Sequence, residues 1–243
     1  MCKRASVLTN KIMKHGFVPE MESILDNDTK VSHTELSKKI EAIIQDPNKI
    51  GLKLSADSVE SCYDPIVQSG GQYDIKLSAM SNNDKLTANV IICSLGARYR
   101  SYCSTLARTF LVDAPPKIED TYATLLATYH VCLEKMVPGN ELKDVYEAAR
   151  NYLKTKDASL LSFLPKSLGF AIGLEFRDPT LVLNQTNTTK FVPGMVFTLS
   201  LGLHNVPLSE EDKKKAPEAV KALSLFSLLV SDMVMVQKEG VPD

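Results

Sequence analysis

The apolar residues of this 243-residue chain change their period three times, and that succession restricts the fold more than any other feature. From Ala88 to Cys103 the pattern is that of strands. Val90, Ile91 and Ile92 form a β-branched run, Leu95-Gly96 reads as a turn, and Tyr99-Arg100-Ser101-Tyr102-Cys103 reads as an alternating return, so a hairpin is predicted. The period then lengthens. Ile118, Tyr122, Leu125, Leu126, Tyr129 and Leu133 fall on one face of a helix, and Leu142, Val145, Tyr146, Ala149 and Leu153 on one face of a second, with Pro138-Gly139 between them. Alternation returns where Pro193-Gly194 leads into Met195–Leu201, and Leu223–Val230 with Met233–Val236 reads as a final strand pair. The chain is therefore expected to be α/β, of the α+β type, with two loosely similar halves.

Upstream, the first third reads as helix, turn, helix. Ser32-His33-Thr34-Glu35 has the spacing of a capping box, and Leu36, Ile40, Ile43 and Ile44 follow at helical spacing. Gly70-Gly71 marks a tight bend or a close backbone approach. The run Ser209-Glu210-Glu211-Asp212-Lys213-Lys214-Lys215 is expected to be a solvated loop or the start of a short exposed helix.

Composition narrows the function classes. With 28 basic and 29 acidic side chains the net charge is −1, so no overall field draws in nucleic acid and strong direct binding of it is not expected. Five cysteines without a C-x-x-C pair form neither a disulfide framework nor a zinc knuckle, and a reducing compartment is expected. No apolar run approaches a membrane span and the N-terminus lacks a secretory h-region, so no membrane role is expected. His15, His33, His130 and His204 are scattered, and no Gly-x-Ser-x-Gly elbow is present. Cys93 and Cys103 fall on adjacent strands of the predicted hairpin and read as small core residues rather than nucleophiles.

Four stretches carry a more specific signal: Ile92-Cys93-Ser94-Leu95-Gly96-Ala97; Tyr102-Cys103-Ser104-Thr105-Leu106-Ala107-Arg108-Thr109-Phe110; Gly169-Phe170-Ala171-Ile172-Gly173-Leu174-Glu175-Phe176-Arg177-Asp178-Pro179; and Pro193-Gly194-Met195-Val196-Phe197-Thr198-Leu199-Ser200. In order, spacing and glycine positions they resemble the pita-bread metallopeptidases, a family that includes methionine aminopeptidase, aminopeptidase P and prolidase. The resemblance implies a curved, mostly antiparallel sheet of two pseudo-symmetric halves with helices on its outer face. It also implies a site where two aspartates, a histidine and two glutamates hold two divalent metal ions, because paired dications need anionic donors before they can activate water. Carried over position by position, those five places hold Ser94, Thr105, Phe170, Ser200 and Ser231. A further family histidine falls at Arg177 and an upstream one at Leu77. Hydroxyls and a phenyl ring replace the anionic donors, so neither a cofactor nor catalysis is expected. Paired carboxylates left without metals would repel by several kcal/mol in a partly buried cleft, a penalty that hydroxyls avoid.

Finer wording narrows the branch. Ser61-Cys62-Tyr63-Asp64-Pro65-Ile66-Val67-Gln68-Ser69-Gly70-Gly71-Gln72-Tyr73, Arg98 to Ser104, Leu168-Gly169-Phe170 and Gly173 to Arg177 are similar to the peptidase-like domain of the large subunit of the FACT histone chaperone. That resemblance implies a nuclear, chromatin-associated module working in transcription, replication and DNA repair. It implies binding to core histones or histone tails, to other chromatin or replication factors, and, through the full-length protein, to a small high-mobility-group subunit. The expected organisation is one domain over 1–243, including an N-terminal helical segment 1–60, with no second domain. A peptide held in the old cleft would be met by Arg177, Glu175 and Arg108. Two other readings stay open on the residues alone: an aminopeptidase using unrecognised metal ligands, and a metal-free pita-bread protein associated with RNA or ribosomes.

Overall fold

A computed structural model describes residues 1–214, 223–238, 240 and 242. Helix α1 (Cys2–Ile12) runs through a π-helical turn, Met13–Phe17, into α2 (Val18–Asp26). The π turn has a local cause: Pro19 has no N–H to donate into the preceding turn. Ala5, Leu8, Ile12, Phe17, Met21 and Ile24 are buried along this helical stretch. Helix α3 (His33–Gln45) starts on the capping box anticipated from sequence. The Ser32 N–H donates to Glu35 Oε2 at 2.7 Å, and the Glu35 N–H donates to Ser32 Oγ at 3.2 Å.

The rest of the chain builds one sheet and its backing helices. In chain order come β1 (Val59–Gln68), β2 (Asn89–Tyr99), β3 (Tyr102–Val112), α4 (Pro116–Lys135), α5 (Leu142–Lys156), β4 (Ser167–Ala171), β5 (Val182–Asn184), β6 (Val196–Pro207), α6 (Glu210–Lys214) and β7 (Leu225–Met235). The seven strands lie in the order β1-β2-β3-β7-β6-β4-β5, and every pairing is antiparallel. One half, β1-β2-β3, buries Ile91, Cys93, Leu95, Ala97 and Leu106 against α1–α3. The other half, β7-β6-β4-β5, packs Leu199, Leu201, Leu168 and Leu183 against α4 and α5. The halves join where β3 meets β7. There the Thr109 hydroxyl donates to Leu229 O at 2.9 Å and accepts from Leu229 N at 2.8 Å. Two apolar layers behind one curved sheet explain why neither half needs the other face of the sheet for its core.

Two sequence expectations change. Leu95-Gly96 is not the hairpin turn but lies inside β2, and the chain reverses at Arg100-Ser101, whose φ values are 47° and 69°. Two successive left-handed residues make the tight loop a two-residue hairpin requires, even without the usual asparagine or glycine. Gly96 serves another end: a Cβ there would sit 2.6 Å from Tyr63 Cε1 and 2.9 Å from Ser104 O, so the Tyr63 ring can lie against the strand only over a glycine. Leu223–Val230 and Met233–Val236 are likewise not two strands, because β7 passes unbroken through Ser231 and Asp232. The Ser209–Lys215 run does form the short helix α6, with Lys215 outside the described residues.

Candidate functional site

Strand register gathers the five predicted positions. Ser94 on β2 is opposite Ala107 on β3, Ala107 is opposite Ser231 on β7, and Ser231 is opposite Ser200 on β6. One row across four strands thus carries three of the five. Thr105 lies two residues before Ala107 and so on the same face, and Phe170 on β4 is opposite Thr198, two residues before Ser200. Thr105, Phe170, Ser200 and Ser231 line a cleft of about 520 Å³ together with Leu77 and Arg177. A smaller pocket of about 20 Å³ shares Leu77, Ser200 and Ser231 with it and adds Ser94.

The cleft floor is held by hydroxyl-to-hydroxyl bonds. Tyr63 Oη lies 2.8 Å from Ser94 Oγ and 2.6 Å from Thr105 Oγ1, bridging the two positions. Thr198 Oγ1 lies 2.9 Å from Ser231 Oγ. Burial pushes the Tyr63 phenol above its ordinary range, against the smaller opposing pull of its bonds to Ser94 and Thr105, so it stays neutral across physiological pH. Phe170 packs its ring 5.8 Å from Phe176, which in turn stands 5.5 Å from Tyr63, and the Arg177 guanidinium lies 5.3 Å over the Phe170 ring. Of this cation-capped aromatic ladder, Phe170 and Arg177 line the cleft, and Phe176 and Tyr63 stand behind them. Two dications need several anionic donors at bonding distance, and the cleft wall and floor supply hydroxyls and a phenyl ring. Among the described residues no group of three His, Cys, Asp or Glu side chains could hold a metal ion. The residues present do not fit a dinuclear metal centre.

The predicted peptide-contacting residues separate. Arg177 lines the cleft. Glu175 is exposed in the bend after β4, and its carbonyl accepts the Gly173 N–H at 2.9 Å; no ion pair joins its carboxylate to Arg177. Arg108 does not line the cleft at all. It is opposite Cys93, on the helix-facing side of the sheet, where Nη2 bonds Asp232 Oδ1 at 2.6 Å and Nη1 bonds Ser231 O at 3.0 Å. The same Asp232 lies beside the buried Tyr129 hydroxyl of α4 and helps burial raise its pKa. Arg108 is a fastener between β3 and β7.

Sequence reasoning missed Tyr63 and Thr198, the two residues that tie the floor together. It also missed Lys76 and Lys166, which with Arg177 place three cations around the cleft against one carboxylate, Asp74. Cys93 and Cys103 are buried on adjacent strands as expected, and burial raises the Cys93 thiol well above its ordinary value, which disfavours a nucleophilic thiolate.

Comparison with known proteins places this geometry. The profile of metallopeptidase family M24 matches residues 1–238. The FACT complex subunit SPT16 of Oryza sativa subsp. japonica is 43% identical over 242 residues, covering 98% of this chain and 22% of that protein. The chain thus spans about a fifth of the length of the curated relatives it matches, with shares of 22%, 22% and 21% in three plant proteins. The solved N-terminal domain of FACT complex subunit SPT16 from Cicer arietinum superposes with a TM-score of 0.91 at 39% identity, over 98% of this chain and 55% of that one. The prolidase from Pyrococcus horikoshii OT3 superposes with a TM-score of 0.76 at 20% identity, over 98% and 59%, a likeness of fold alone. The sheet of two helix-backed halves is the pita-bread fold, and the chain belongs to metallopeptidase family M24.

Proposed function

We propose that this chain is a non-catalytic, peptidase-like module of a histone chaperone of the FACT type, acting in the nucleus. It binds histones or chromatin factors while nucleosomes are taken apart and rebuilt in transcription and replication. The observation that carries the reading is the cleft floor, where Tyr63, Ser94 and Thr105 form one closed hydroxyl group and Thr198 and Ser231 another. Such a floor is stable without metal and offers no activated water. We read Ser94, Thr105, Phe170, Ser200 and Ser231 as the positions at which the family's metal donors have been lost. The 43% identity to an SPT16 subunit supports the chaperone assignment, and the small high-mobility-group subunit would be reached through the rest of the longer protein.

Within the cleft, Arg177 is the residue a bound peptide would meet. Its charge, joined by Lys76 and Lys166, favours an acidic stretch of a chromatin factor over a basic histone tail. Histones would then dock on the remaining surface. The test is calorimetric titration of the chain with purified core histones across a salt series, with elemental analysis of the same preparation. Saturable, salt-weakened binding and less than about 0.1 metal ion per chain are expected. Stoichiometric manganese, cobalt or zinc that survives dialysis, with release of an N-terminal residue from model peptides, would overturn the reading.

A further inference from the structure

Away from the cleft, a groove of about 460 Å³ lies between α1 and the segment 52–54. Its cations are Lys3, Arg4, Lys11 and Lys53, and no carboxylate lines it. Concentration of charge here is unusual in a chain whose net charge is −1. The first acidic residue in the sequence is Glu20, which is paired with Lys39. Beyond the 52–54 segment, Glu60 pairs with Arg98 at 3.6 Å, and Asp57 is exposed without lining the groove. Among the described residues, Arg4, Lys11 and Lys53 have no ion-pair partner.

The space between these cations is apolar. Val7 is 50% exposed, one helical turn from both Lys3 and Lys11, on a helix that buries Ala5, Leu8 and Ile12. Leu52 and Leu54 form the opposite wall, both half-buried. Val7, Leu52 and Leu54 thus give the groove an aliphatic lining between its cations.

We propose that this groove binds an acidic peptide segment that also carries apolar side chains, a site distinct from the peptidase-like cleft and going beyond the functional reading above. Each exposed cation adds only a little alone, so the aliphatic walls must supply the remaining affinity and the cations the choice of partner. Nucleic acid fits less well. Phosphate contacts recruit hydroxyl and amide donors beside Lys and Arg, and bases stack on open aromatic faces. The walls here are aliphatic, and the lone aromatic, Tyr99, is 9% exposed with the Arg100 guanidinium 5.7 Å over its ring.

The probe is a fluorescein-labelled 14-residue peptide alternating Glu or Asp with Leu or Phe, followed by anisotropy against the 243-residue chain. Saturable binding is expected, weakening about tenfold between 50 and 300 mM salt. Arg4→Glu/Lys11→Glu/Lys53→Glu should weaken it at least about tenfold, and Lys53→Glu alone, in a loop outside α1, about threefold. Lys30→Glu, at an exposed position that lines neither the groove nor the cleft, should leave it unchanged. Binding indifferent to Lys53→Glu, equal binding of the Lys-for-Glu peptide, or tighter binding of a 14-nucleotide single strand that displaces the peptide would each overturn the proposal. Loss of binding on Arg177→Glu would transfer the acidic peptide to the cleft and overturn it equally.

Discussion

Removing one oxygen tests the account of the cleft floor. In Tyr63→Phe the ring keeps its place over Gly96 and against Phe176, and only the phenol oxygen disappears. That oxygen is bonded to Ser94 Oγ and Thr105 Oγ1, and those residues are 3% and 2% exposed. Each buried hydroxyl deprived of a partner costs about 1–3 kcal/mol, with the lower end applying where it can turn to a backbone carbonyl. A loss of about 2 kcal/mol is therefore expected, read from the midpoint of urea unfolding at unchanged slope. For a chain of this size it corresponds to a fall in Tm of about 4–8 °C. The decisive comparison is Tyr63→Phe/Ser94→Ala/Thr105→Val. If orphaned hydroxyls cause the loss, removing all three polar groups should recover about 1 kcal/mol or more relative to Tyr63→Phe. A single variant within about 0.5 kcal/mol of wild type, or a triple variant less stable than the single, would refute the idea that this network replaces the metals as the floor's support.

Two further outcomes follow from the structure. His33 is buried at the start of α3, with Nδ1 2.6 Å from Asn82 Oδ1 and Nε2 2.7 Å from Ser69 Oγ; burial lowers its pKa, more than its bond to Asn82 and the nearby Asp84 raise it. A depressed folded pKa means the unfolded chain binds the extra proton, so this contribution is full above pH 6.5 and is lost as pH falls through the folded value. His33→Gln should accordingly lower Tm at pH 7.5 while reducing its further fall between pH 7 and 5, and a wild-type-like slope in the variant would count against the assignment. Gly169 has φ 129° and an added Cβ would sit 1.8 Å from Thr198 O, so Gly169→Ala must break the β4–β6 pairing. A loss of about 3 kcal/mol or more is expected by denaturant titration, and a loss under about 1 kcal/mol would show that the strands can shift to accept it.

Much of this architecture was legible because periodicity and caps are local. The apolar faces of α4 and α5 and the capping box of α3 depend on residues within one or two turns of each other, where sequence spacing and spatial contact coincide. The turns were less legible for identifiable reasons. Arg100-Ser101 adopts left-handed backbone without a residue that advertises it, while Leu95-Gly96 looks like a turn although its glycine serves the Tyr63 ring. Ser231-Asp232 interrupts an apolar run and so reads as a break. In the fold, Ser231 meets Thr198 on one face and Asp232 meets Arg108 on the other, so both polar groups are satisfied inside a continuous strand. Strand alternation alone would have removed Arg108 from the cleft, since it stands between Ala107 and Thr109 and must face the opposite way. Tyr63 was beyond reach, because its position over Gly96 depends on register shifts within β1 that no local pattern signals.

Charge distribution ties these surfaces together. The cleft and the α1 groove are lined by seven of the chain's 28 basic side chains, Lys76, Lys166 and Arg177 in one and Lys3, Arg4, Lys11 and Lys53 in the other, but by only one of its 29 acidic ones, Asp74. A chain near neutrality that gathers cations into two concavities necessarily leaves an acidic surplus on the rest of its surface. A metallopeptidase site inverts this arrangement, with carboxylates in the cleft compensated by metal. Once hydroxyls carry the floor, the cleft no longer needs a dication for stability, and cations on its rim cease to compete with one. Partners of opposite charge can then be accommodated on one small fold without sharing a surface. On the function and groove proposed above, acidic segments would meet the concavities and basic histones the acidic exterior, and each would be repelled from the other's site.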